Sequence, residues 1–193
     1  MNSATTEKYN GMFDVRAKRA KKTAEVFTPD ELVCEMLSKL PKETWEEGKT
    51  YLDPAVGNGQ FLIWVLIRKI SLGHNPTEAL KTLYGADIYQ DNVNECKLRL
   101  LKVMQVAGIN VTIEHVRIVS KNIFWCRPDV YSKGSLDYDF EFDHEIKPDR
   151  LAKAAEWAIG VLNKKAPDGR LHVEVPPRQA WIDFLKKWFC KKG

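Results

Sequence analysis

The sequence predicts an α/β fold, a mostly parallel sheet with helices on both faces, ending after about five strands. Three observations carry this. Short apolar runs of strand length alternate with longer amphipathic stretches of helical period, and that rhythm produces right-handed βαβ units. One such run, Thr50-Tyr51-Leu52, feeds a turn holding Pro54, Gly57 and Gly59 that opens a strongly apolar helix. A second run, Tyr84-Gly85-Ala86-Asp87-Ile88, again carries an acid at its end. Sheets of this kind bind ligands at the carboxyl ends of their strands.

The elements follow in order. Residues 1–25 form a basic, polar lead-in, and residues 26–193 form the domain. Thr28-Pro29-Asp30 starts a helix, with proline near the first turn and acids after it. Leu32, Val33, Met36, Leu37 and Leu40 give that helix its apolar stripe. After the first strand and its glycine turn, residues 61–70 are apolar nearly all round, as in a helix packed on a sheet. Asn75-Pro76 opens another helix running through Leu83. The second strand, 84–88, precedes a long amphipathic helix over 91–107, stopped by Gly108. Residues 111–118 alternate as a third strand should. Tyr138, Phe140 and Phe142 alternate with acids and predict a fourth strand. A helix over 148–164, a fifth strand over 171–175 broken by Pro176-Pro177, and a short helix over 181–188 complete the chain. Trp181, Phe184, Trp188 and Phe189 in that last helix are expected to cover the edge of the core.

Composition excludes several classes. The longest apolar run falls short of the ~18 residues that span a bilayer, and Met1 to Asn10 lacks the apolar stretch of a signal peptide, so a cytoplasmic protein with no membrane partner is expected. The four cysteines, Cys34, Cys96, Cys126 and Cys190, are dispersed, which argues against structural zinc and for free thiols. Net charge is +4, short of a strongly basic footprint. Its excess lies in two clusters, Arg16, Lys18, Arg19, Lys21 and Lys22, and Lys186, Lys187, Lys191 and Lys192. Solvated helix faces account for both; contact with DNA phosphate is the alternative.

The segment Leu52 to Phe61 carries the chemistry. Gly57 and Gly59 permit close backbone approach, and the free N–H groups at the following helix start suit a carboxylate. Asp53 at the strand end suits an ammonium group. S-adenosylmethionine (SAM) carries both groups in its methionine part. Asp87, ending the second strand, suits the two hydroxyls of a ribose, with Ile88 packing on an adenine; capping the next helix is its other possible role. A nicotinamide-binding turn would want a third glycine where Ile63 stands.

These segments resemble the adenine-N6 DNA methyltransferases, class I SAM-dependent enzymes, in their gamma-type motif order. Val26-Phe27-Thr28-Pro29 is similar to their N-terminal SAM-contacting motif, and Asp53-Pro54-Ala55-Val56-Gly57-Asn58-Gly59-Gln60-Phe61-Leu62 to their main SAM motif. Asp87-Ile88 followed by Asp91-Asn92-Val93 resembles the second motif, and Asn122-Ile123-Phe124 the third. Residues 166–177 resemble the family's later turn and fifth strand. The resemblance implies a Rossmann-like core and SAM as cofactor. It implies a binding set of Phe27, Thr28, Asp53, Ala55, Gly57, Gly59, Phe61, Asp87, Ile88 and Asn122, and methyl transfer to adenine without a metal.

The family ends its fourth strand with Asn or Asp, two prolines and an aromatic. An oxygen and a carbonyl accept the target amine's hydrogens, and the ring stacks on the flipped base. Here that place holds Asp143-His144-Glu145-Ile146, so Asp143 keeps one acceptor while the diproline and the aromatic are lost. The acid–His–acid run reads as a polar loop ahead of a helix rather than a separate acid–base site. The family's further strands and target-recognition domain do not fit this length, so target recognition is expected to come from a partner protein. Two functions follow: a SAM-dependent adenine-N6 DNA methyltransferase with Asp143 in the catalytic place, or a catalytically silent relative acting as a regulatory, decoy or assembly protein.

Overall fold

The computed structural model describes residues 27–125, 146–164 and 173–189. Helix α1 (Asp30–Ser38) begins after Pro29, and Asp30 and Glu31 in its first turn complement the helix dipole. A single 3₁₀ turn, Lys42–Trp45, leads to strand β1 (Tyr51–Asp53). Helices α2 (Gln60–Ser71) and α3 (Pro76–Lys81) connect β1 to β2 (Leu83–Asp87). Helices α4 (Gln90–Val106) and α5 (Ile113–Asn122) connect β2 to β3 (Ile123–Trp125). Helices α6 (Pro148–Leu162) and α7 (Arg178–Phe189) follow.

The sheet is parallel in the order β1-β2-β3. Asp53 pairs with Gly85 and Asp87 with Trp125, so these residues share the carboxyl edge. Helix α2 is buried along its whole middle, from Leu62 to Ile67, as its unbroken apolar run required. At the opposite, amino edge the buried ammonium of Lys69 donates to the Lys49 carbonyl at 2.6 Å and Thr82 Oγ1 at 2.7 Å. That ties α2 to the segments entering β1 and β2.

Several expectations change, and the helix opened by Asn75-Pro76 ends at Lys81, with Leu83 already in β2. Residues 111–118 do not form a strand; Ile113–Asn122 is helical and β3 begins directly after it. The β-branched residues of this stretch mimicked a strand. The deciding signal is local: Thr112 and His115 form a reciprocal cap, and His115, Val116 and Val119 bury at helical spacing while Ile113 stays 44% exposed. The stripe of α1 also differs. Val33, Cys34 and Leu37 bury, whereas Leu32, Met36 and Leu40 face outward.

Of the predicted fifth strand, residues 173–175 lie among the described ones and form no strand, so the sheet has three strands among the described residues. The expected fourth strand, Asp143 and both ends of the chain, including most of the basic clusters, lie outside the described residues.

Helix α7 closes the core beside α1 and α2. Phe184 meets Trp64 at 5.0 Å between ring centres, and Phe189 meets Trp45 edge-on at 5.6 Å. Trp181 is buried and its indole N–H donates to the Pro176 carbonyl at 2.6 Å. These aromatics thus cover the edge of the core. Cys34 and Cys96 are free and buried. Among the described residues, no helix is long and apolar enough to cross a membrane, and no His/Cys/Asp/Glu group has metal-binding form.

Candidate functional site

The carboxyl edge of the sheet gathers the chemistry. Val56 donates its N–H to the Ala86 carbonyl at 2.9 Å, so the chain leaving β1 folds back over β2. The turn then needs two left-handed residues. Gly57 has φ +52° and Gly59 has φ +89°. A Cβ at Gly59 would stand 2.7 Å from Cys96 Sγ, inside any tolerable contact, so the turn is seated directly on α4. A Cβ at Gly57 would meet the Phe27 ring at 3.4 Å, which places Phe27 against the turn. Gly59 caps α2, and Ile63 donates to its carbonyl at 2.9 Å. The N–H groups of the first turn, at Gln60, Phe61 and Leu62, have no partner within the helix and form a positive end.

The two acids flank this turn. Asp53 Oδ1 accepts the Ala55 N–H at 3.1 Å. Burial pushes the Asp53 carboxyl above its usual range; the Ala55 bond opposes this and the nearby Asp87 charge adds to it. Asp87 is only 8% exposed. Its Oδ2 accepts the Gly57 N–H at 2.9 Å, and its Oδ1 accepts the Tyr89 N–H at 2.7 Å and the Asn92 amide at 3.3 Å. Asp87 therefore joins the glycine turn to the start of α4, although the residue in the N-cap position of α4 is Tyr89 and not Asp87.

Arg99 supports the turn from beneath. Its buried guanidinium donates to the Asn58 carbonyl at 3.0 Å and, through Nε, to the Glu174 carbonyl at 2.9 Å. Burial lowers its pKa, with Glu95 opposing most. Asn58 also donates to Glu95 at 3.2 Å. Sequence reasoning missed Arg99, because nothing in a helical position eight residues past Asp91 marks a side chain as reaching back to a turn. It also missed Asp30, whose carboxylate accepts both the Gln60 amide and the Trp64 indole N–H at 2.7 Å and thereby docks α1 on the first turns of α2.

The family model for N-6 DNA methylases matches residues 4–178. The chain belongs to that family. It matches none of the curated proteins and none of the solved structures. In this N-6 DNA methylase family member, Phe27, Asp53, Ala55, Gly57, Gly59 and Asp87 come together at the carboxyl edge. Thr28 follows Phe27, and Phe61 packs half-buried on the first turn of α2. Ile88 lies just past β2, where its carbonyl accepts the Trp125 indole N–H at 2.9 Å. Asn122 is not brought in. It ends α5 at the amino edge, and its amide donates to the Lys81 carbonyl at 3.0 Å. With β3 starting at Ile123, the residue of this segment that reaches the carboxyl edge is Trp125, 45% exposed beside Asp87. The family's methyl donor is SAM. Its charge pattern suits these residues: an ammonium near an acid whose ionisation burial opposes, and a carboxylate near a helix start stripped of Cβ atoms.

Proposed function

We propose that this chain is a SAM-binding adenine-N6 DNA methyltransferase-like protein, built on a Rossmann-like core of about five strands. The single observation that carries this reading is the glycine turn held between two strand-end acids at the carboxyl edge, in a chain of the N-6 DNA methylase family. In this reading Asp53 takes the methionine ammonium, the first-turn amides of α2 take its carboxylate, and Gly57 and Gly59 leave the room. Phe27 walls the turn, Asp87 takes the ribose hydroxyls, and Ile88 with Trp125 borders the adenine. SAM bound there supplies a methyl group on a positively charged sulfur. Asp87 already accepts three protein donors, so ribose binding displaces at least one of them, the Gly57 N–H being the one on the turn.

Asp143 is the acceptor for the target amine in this reading. A second reading, a SAM-binding but catalytically silent protein with a regulatory, decoy or assembly role, is favoured by one specific observation: Asp143-His144-Glu145-Ile146 offers neither diproline nor aromatic. DNA as substrate, a partner protein for target recognition and a cytoplasmic setting belong to the first reading.

Two measurements test this. Calorimetry should show SAM binding that Asp87→Ala weakens about tenfold or more, since it removes charge-assisted bonds. Equal affinity in wild type and variant refutes the ribose assignment. Tritiated SAM should then label adenine-containing DNA, and label in N6-methyladenine supports the enzyme. Intact SAM binding without label on any DNA or RNA supports the silent reading.

A further inference from the structure

A second concavity lies away from the glycine turn, between α4, α5 and α6. Its volume is about 330 Å³, at the lower end of the ~300–1,000 Å³ typical of small-molecule sites. Its origin is visible in the sequence. Helix α6 crosses α4 and α5 with Ala154 and Ala158, one turn apart, where larger side chains would fill the seam against Leu101 and Val119. Trp157, on the same helix and 53% exposed, stands at the rim.

Into this apolar space comes one cation. Lys97 lines it, with Asn94 and Ser120 as the remaining polar residues. No acidic residue lines the cavity, and Lys97 has no carboxylate partner among the described residues. Lys97 is half-buried, and a partly desolvated charge without a counter-charge is costly. Burial accordingly pushes the Lys97 ammonium down to about 8. The other half-buried or buried lysines of known geometry are satisfied: Lys69 by two oxygens and Lys102 by Gln105 and the Leu162 carbonyl. Lys97 differs from them in facing a space of molecular size.

We propose that this cavity binds a small amphipathic carboxylate, an apolar chain or ring ending in one negative charge, with the Lys97 ammonium as its counter-ion. The apolar body lies along Leu101, Val119 and the two alanines, and Trp157 covers its outer end. Ser120 and Asn94 supply neutral hydrogen bonds near the charge. The site is independent of the glycine turn and needs no cofactor.

The test uses the whole chain and three probes of equal length: octanoate, 1-octanol and octylammonium. Calorimetry on the wild type should rank them in that order, with octanoate about tenfold or more above octanol. This ranking needs no variant to fold. Lys97→Met should abolish the preference for octanoate while leaving octanol affinity in place. Ala158→Leu, which fills the seam, should weaken both by about tenfold or more. Equal affinity for octanoate and octylammonium, a preference that survives Lys97→Met, or unchanged binding in Ala158→Leu would each overturn the proposal.

Discussion

Replacing Gly59 with alanine tests how the cofactor turn is built. Two separate costs follow from the geometry. At φ +89° a side chain sits in the left-handed region, worth about 1–2 kcal/mol for an ordinary residue. The new Cβ would also stand 2.7 Å from Cys96 Sγ, 3.3 Å from its Cβ and 3.4 Å from its Cα. A clash with a buried side chain and the helix backbone behind it cannot be relieved by a rotamer change, and such overpacking costs about 1–3 kcal/mol. Gly59→Ala should therefore lose about 2–5 kcal/mol, a large share of the ~5–15 kcal/mol typical of a domain. Urea titration followed by circular dichroism measures it, as a fall in midpoint at constant slope. A double-mutant cycle separates the two costs. In a Cys96→Ala background the 2.7 Å obstacle is gone while the 3.3 Å and 3.4 Å contacts with Cβ and Cα remain, so Gly59→Ala should cost about 1 kcal/mol or more less than it does in the wild type. Gly57→Ala is the control: its Cβ would reach only ordinary contact with the Phe27 ring, so it too should lose only about 1–2 kcal/mol. A loss below about 1 kcal/mol for Gly59→Ala, or the same loss with and without Cys96, refutes the reasoning.

Two further predictions concern buried cations and a titrating cap. Arg99→Met removes charged donors from the Asn58 and Glu174 carbonyls and should cost about 2–4 kcal/mol in urea titration; a loss under about 1 kcal/mol would mean that water replaces both bonds. His115 accepts the Thr112 N–H at Nδ1 and faces Thr77 Oγ1 at 3.0 Å with Nε2, so its neutral form carries the proton on Nε2. Burial lowers its pKa, with Glu114 opposing. As pH falls below the ordinary histidine value of about 6.5, the unfolded chain takes up a proton that the folded chain resists, so stability is full above that pH and declines below it. The urea midpoint should drop between about pH 7.5 and 5, and His115→Gln should flatten that drop; parallel curves would remove His115 from the account.

The fold was legible where local chemistry and tertiary packing agreed. Asn75-Pro76 announced a helix start, and the Asn75 side chain does accept the Thr77 and Glu78 N–H groups. Gly57 and Gly59 announced the turn because no other residue type takes those backbone angles cheaply. Asp53 and Asp87 do stand at the strand ends where the pattern put them. What escaped was set by contacts distant in sequence. The helix at Ile113–Asn122 hid behind β-branched residues, and Asn122, assigned from its motif resemblance, ends that helix with its amide on the Lys81 carbonyl. Trp125 went unnoticed for the same reason, since a strand shifted by several residues presents different side chains at its end. Arg99 and Asp30 act on the turn and on α2 from other elements, and a periodic pattern records only that a face is buried, not whose carbonyl its side chain meets.

The Arg99 bridge also has a consequence for synthesis on the ribosome. Both βαβ units of the described sheet are complete in the chain once residue 125 has emerged. The Arg99 guanidinium, however, finds its second acceptor 75 residues after itself in the chain. At ~5–20 residues per second that is a delay of about 4–15 s. During this interval the nascent protein holds Asp53, the glycines and Asp87 but lacks the anchor on residue 174. The bridge beneath the turn is thus completed late in synthesis, although the turn's own residues are among the first to be made.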